Sequence, residues 1–191
     1  DTRDYTKIDP QFGTNEEFAR LVKEAHAHGI RIMVDAVFNH CGRSFGPWAD
    51  VVEKKSGSPY ADWFMIQDWD AFERHGDTRD GRFYSFAFTD RMPKLNTNNP
   101  EVIRYFCQVC KRWIREFDID GIRLDCADCL DFGFMEQMRA RTSAKKQDFW
   151  LMGEVIHGDY ARYIGDGQHL LHSVTTVSYT HLRAHETSQD L

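Results

Sequence analysis

The chain has 191 residues, 41% hydrophobic and 14% aromatic, with a formal net charge of −6. That apolar share is enough for a buried core. The interspersed acidic charge excludes a nucleic-acid or anionic-membrane patch, and no apolar run approaches the roughly 20 residues of a membrane span.

The first residue is Asp, and "DTRDYTKIDPQFG" reads as the interior of a longer polypeptide. The lack of a leader therefore carries no information. Thr14 to Glu17 then spell a capping box. The helix behind it has the apolar stripe Phe18, Leu21, Val22 and Ala25, and Gly29 closes it. "IRIMVDAVF" follows, a near-continuous apolar run of the kind seen in parallel strands buried on both faces. Residues 39 to 97 read as irregular, with an excursion at 41–97 rich in Gly, Asp and aromatics. Loops of that length are usually functional; the aromatics suit sugar faces or loop packing equally. Pro100 starts the next helix, whose apolar face is Val102, Phe106, Val109, Cys110, Trp113, Ile114 and Phe117. "GIRLDCAD" is a second strand, a helix near 131–145 carries an interrupting Gly133, and "FWLMGEVI" is a third strand. This alternation predicts an α/β fold with parallel strands.

Each strand ends in polar residues: Asp35, Asn39 and His40 on the first, Arg123 and Asp125 on the second, Glu154 on the third. Sites in parallel α/β proteins lie at such C-terminal ends. Residues two apart on a strand share a face, so Arg123 and Asp125 point the same way. A carboxylate held by a cation suits a nucleophile. A Glu among apolar neighbours suits a general acid. Two such carboxylates are the equipment of a glycosidase; singly, each also reads as a structural ion pair.

These segments carry a resemblance to the α-amylase superfamily, glycoside hydrolase family thirteen. "DAVFNH", "GIRLDCAD" and "GEVIH" resemble three of its conserved segments. "MPKLN", residues 92 to 96, resembles the segment that marks the neopullulanase, cyclomaltodextrinase and maltogenic amylase group. The resemblance implies a fragment of a TIM (β/α)8 barrel over 1–176, with the excursion standing as a domain-B-like insert. It implies a retaining hydrolase of α-glucosidic bonds in maltooligosaccharides, cyclodextrins, pullulan or starch. Asp125 would be the nucleophile, Glu154 the general acid/base, and Arg123 the residue that orients Asp125, with the two carboxylates about 5–5.5 Å apart. His40 and Tyr5 would contact sugar, Tyr5 by stacking under the ring. Asp35 belongs to the same substrate-binding set and would support the first segment. Asn39 falls where many α-amylases hold calcium; otherwise no metal or organic cofactor is implied. The family's third catalytic carboxylate lies beyond this stretch, so the stretch alone is expected to be inactive and poorly soluble. The full-length enzyme is expected to form a homodimer. The group reads "DVANE" after the nucleophile where this chain reads "DCADC", which puts Cys129 in place of a Glu.

Five cysteines without disulfide-scaffold spacing favour a reducing, cytoplasmic setting. Two rival readings stand beside the enzyme. Cys107, Cys110, Cys126 and Cys129 have a zinc-site spacing, although the first two fall inside an amphipathic helix. A non-catalytic amylase-like barrel is the other, yet such proteins lose the carboxylates that are present here. The tail "VSYTHLRAHET", from Val177, reads as translated sequencing adapter, so 177–191 is expected to be non-native. His181 and His185 then carry no function despite their i, i+4 spacing.

Overall fold

The computed structural model describes residues 2–156, 159–164 and 170–175. The tail from 177, with His181 and His185, lies outside the described residues.

Local chemistry fixes the helix starts. Thr14 caps α1 (Asn15–Ala27): its hydroxyl accepts from the Glu17 N–H, and the Glu17 carboxylate accepts from the Thr14 N–H. Gly29, at φ +72°, turns the chain out of the helix into β1 (Met33–Ala36). The long excursion follows, and it is not irregular. It contains α2 (Gly46–Lys54), with Pro47 in its first turn, and α3 (Trp69–His75), capped by the Asp68 carboxylate. Trp48, Val51 and Phe72 from these helices are fully buried and give the excursion a core of its own. Both helices are too short for periodicity to reveal.

The chain returns through α4 (Pro100–Phe117), capped by Asn99. β2 (Gly121–Leu124), α5 (Phe132–Ser143) and β3 (Trp150–Glu154) follow. α4 packs against α1 and α5. A short turn of helix, α6 (Ala161–Ile164), leads to β4 (Ser173–Thr175), a fourth strand where three were expected. Three residues of strand lie below what pattern reading resolves.

The strands form one parallel sheet in the order β1-β2-β3-β4. β1 is not buried on both faces as expected. It flanks the sheet, and Met33 is 38% exposed beside an exposed Ile30. Leu21, counted in the α1 stripe, is 58% exposed for the same reason: among the described residues nothing packs outside it. Among the described residues no helix is long and apolar enough to cross a membrane.

β2 and β3 run unusually close at Gly121. A Cβ there would meet the Trp150 carbonyl oxygen at 2.5 Å, and a paired backbone cannot retreat without breaking its ladder. Gly121→Ala is expected to cost about 2 kcal/mol, read as a lower urea midpoint at unchanged slope.

Candidate active site

The parallel register gathers the charged strand ends. Asp35 of β1 pairs with Arg123 of β2, and Leu124 pairs with Gly153 of β3. One residue beyond that pair lie Asp125, just past the end of β2, and Glu154, the last residue of β3.

Arg123 joins all three carboxylates. Its Nη1 donates to Asp35 Oδ1 at 2.6 Å and reaches Asp125 Oδ1 at 3.4 Å, while Nη2 reaches Glu154 Oε1 at 2.9 Å. Burial opposes the guanidinium's charge, but the contacts with Asp35, Glu154 and Asp125 outweigh it and raise the pKa. Glu154 was expected among apolar neighbours. Its polar partners are instead the guanidinium and the Cys126 N–H, which donates to Oε2 at 3.0 Å. Cys126 reaches that position through a left-handed backbone, φ +39°. Its thiol lies 3.4 Å from Asp125 Oδ2.

His40 is buried and stacks on Phe86, with ring centroids 4.5 Å apart and planes 4° from parallel. Burial lowers its pKa and nearby Lys94 works the same way, against the pull of Asp125. The ring is therefore neutral near pH 7, fit to exchange hydrogen bonds with hydroxyl groups. His40 and Asp125 line an open cleft of about 1290 Å³, together with Arg3, Lys7 and Gln11 from the first loop. Arg123 and Glu154 do not line it.

Tyr5 does not join them. It is 4% exposed, enclosed by Phe38, Phe45, Tyr105 and Phe106. Its hydroxyl donates to the backbone carbonyls of Val37 and His40. No ring face is open to a sugar, so Tyr5 anchors the first loop against the strand end. Burial of an aromatic with its hydroxyl satisfied is the commoner outcome for such a residue.

Asn39 is buried, and its side-chain oxygen accepts a hydrogen bond from Lys94 Nζ. The same ammonium donates to the Cys129 carbonyl at 3.0 Å. A cation therefore already occupies the place where Asn39 was expected to offer an oxygen to calcium. Lys94 lies in "MPKLN", where the motif was visible but the role was not.

The ligand atoms of His40, Asp125 and Cys126 lie within 4.8 Å of one another. Asp125 is already in contact with Arg123 and with the Cys126 thiol, so this set is not assigned to a metal. Among the described residues the four cysteines of the zinc spacing do not meet in one cluster. Cys107 and Cys110 are packed into the α4 side of the core, where burial raises both thiol pKa values.

The sequence profile described as "Alpha amylase, catalytic domain" matches residues 1–190. The chain is 48% identical over 157 residues to a protein named cyclomaltodextrinase from Geobacillus thermopakistaniensis (strain MAS1), covering 82% of this chain and 26% of that protein. It is 44% identical over 166 residues to a maltogenic alpha-amylase from Bacillus acidopullulyticus, covering 87% and 28%. A solved structure named cyclomaltodextrinase superposes with a TM-score of 0.78 at 40% identity, covering 87% of this chain and 28% of that one. The chain thus spans about a quarter of the length of these relatives.

Proposed function

This chain belongs to the alpha-amylase family, matched on its catalytic domain, and from that premise we propose that the protein carrying it is a retaining glycoside hydrolase acting on α-glucans. One observation carries the reading: Asp125, just past the end of β2, and Glu154, the last residue of β3, share one guanidinium. Retaining pairs sit roughly 5–5.5 Å apart, closer than the roughly 6.5–9.5 Å of inverting pairs, and bridging by a single guanidinium supports the shorter spacing.

Asp125 attacks the anomeric carbon while Glu154 gives a proton to the leaving oxygen. A glycosyl ester on Asp125 results. Glu154, now a carboxylate, takes a proton from water or a sugar hydroxyl that resolves the ester. Arg123 keeps both carboxylates in register. His40, neutral and at the cleft wall beside Asp125, contacts a sugar hydroxyl. Asp35 acts at one remove by holding Arg123. The relatives' names point to cyclic and linear maltooligosaccharides as substrates. Incubating the protein with β-cyclodextrin and following product anomers by NMR tests this. The α-anomer of a maltooligosaccharide appears first on this reading; a β-anomer appearing first overturns the retaining assignment.

The position beside Asn39 supports a further proposal, that Lys94 stands where a divalent ion would and the fold needs no calcium there. A chelator is then expected to leave the unfolding temperature unchanged. Lys94→Ala is expected to lower stability by about 1–3 kcal/mol, because it strips a buried amide oxygen of its donor. Chemical denaturation with and without calcium reads both outcomes.

A further inference from the structure

Cys126 and Cys129 are used by nothing in the mechanism above, yet Cys126 touches both reacting carboxylates. Its thiol is 3.4 Å from Asp125 Oδ2, and its amide donates to Glu154 Oε2 at 3.0 Å. The Cys129 N–H donates to the Cys126 carbonyl at 2.9 Å. That i, i+3 turn holds the two Cα atoms below ~7 Å, and disulfides span about 4.4–6.8 Å between Cα atoms. The two thiols are close enough to shift one another's ionisation. Cys129 is exposed and Cys126 is buried.

We propose that Cys126 and Cys129 form a thiol–disulfide exchange pair whose oxidation displaces the groups that hold Asp125 and Glu154. The exposed Cys129 thiolate attacks a low-molecular-weight disulfide RSSR, forms a mixed disulfide and releases RS⁻. Cys126 gives up its proton and attacks the Cys129 sulfur, and the second RS⁻ leaves. The sum is two thiols and RSSR going to one protein disulfide and two RSH.

The division of labour fits the surroundings. The neighbouring Cys126 side chain and the Lys94 ammonium bring the Cys129 thiol down to about 7, against burial and the Asp128 charge. The neighbouring Cys129 side chain, burial and the Asp125 charge all push Cys126 up. The first is the thiol poised to attack, and the second is the buried partner that resolves. Bond formation turns the Cys126 sulfur from Asp125 towards Cys129. It also pulls on the left-handed residue whose amide holds Glu154. Cys41, Cys107 and Cys110 offer no such pair: all three are buried, with burial raising each thiol.

The exchange chemistry stands by itself, while its effect on turnover rests on the hydrolase reading above. The test equilibrates the native protein in glutathione buffers of graded redox ratio, traps thiols by alkylation and maps them by mass spectrometry. The expected result is a Cys126–Cys129 bond with Cys41, Cys107 and Cys110 still reduced. Turnover should fall at least about tenfold in step with the bond and return with dithiothreitol. Cys129→Ser should keep its turnover under oxidation. Free thiols throughout, or glutathione held on Cys129 with Cys126 still alkylatable, overturn the pair. A bond formed with turnover unchanged overturns its link to the carboxylates. A protein that maps the bond but hydrolyses no α-glucan in either state refutes the hydrolase reading and leaves the pair standing.

Discussion

Asp125→Asn is expected to reduce kcat/KM on maltooligosaccharides by at least about 10⁴-fold, the scale of losses when a covalent nucleophile is removed. The substitution is nearly isosteric. It removes the attacking oxygen's charge and leaves Arg123 its contacts to Asp35 and Glu154. The fold should therefore survive, with a denaturation midpoint within about 1 kcal/mol of the parent. Two measurements decide the matter. Initial rates give the loss, and incubation with a 5-fluoro glycosyl fluoride should add a covalent label to the parent peptide 125 but not to the variant. A variant retaining more than a hundredth of parental turnover, or labelling elsewhere, rules out Asp125 as nucleophile.

Glu154→Gln is the second large effect, and its signature is selective. A general acid contributes about 10²–10⁴-fold, but only where the leaving group needs a proton. Hydrolysis of maltooligosaccharides should fall by about 10³-fold, while the first step on a glycosyl fluoride should fall far less. The intermediate then accumulates because no base activates water, so a burst appears. Azide, which needs no base, should restore turnover and give an α-glycosyl azide. Equal losses on both substrate types, without azide rescue, would assign Glu154 a structural role only. Glutamine leaves one oxygen for the two donors that Glu154 now satisfies, Arg123 and the Cys126 N–H. A modest stability loss of about 1 kcal/mol should accompany the change.

What the sequence made legible divides along lines of distance. The Thr14–Glu17 box, the Pro100 start and the α4 stripe are contacts within a few residues, and all three are present. The charged strand ends were legible because strand periodicity and the C-terminal rule for parallel sheets act before any tertiary detail. The surroundings of Glu154 were not legible. Its partners are Arg123 on the neighbouring strand and Cys126 in the turn just after it, and only tertiary placement decides which atoms meet. Tyr5 went astray for the same reason. Whether an aromatic lies open to a ligand or enclosed by Phe38, Phe45 and Phe106 is settled by segments more than thirty residues away. Lys94 shows the other limit: the motif was plain, but nothing local said that its ammonium would bridge Asn39 and the Cys129 carbonyl.

That bridge has a kinetic meaning. Lys94 closes a loop of 55 residues back to Asn39, beside the antiparallel bridge between His40 and Lys94. Closing a flexible loop of that length carries an entropic penalty of about 3–4 kcal/mol, so the contact is favourable only after the excursion has collapsed around Trp48 and Phe72. The ring stacked on His40, Phe86, also belongs to the excursion. Assembly of the site therefore waits on a segment that adds no strand to the sheet. Folding of the excursion sets when the protein becomes competent, and damage to its small aromatic core should delay activity more than it delays secondary structure.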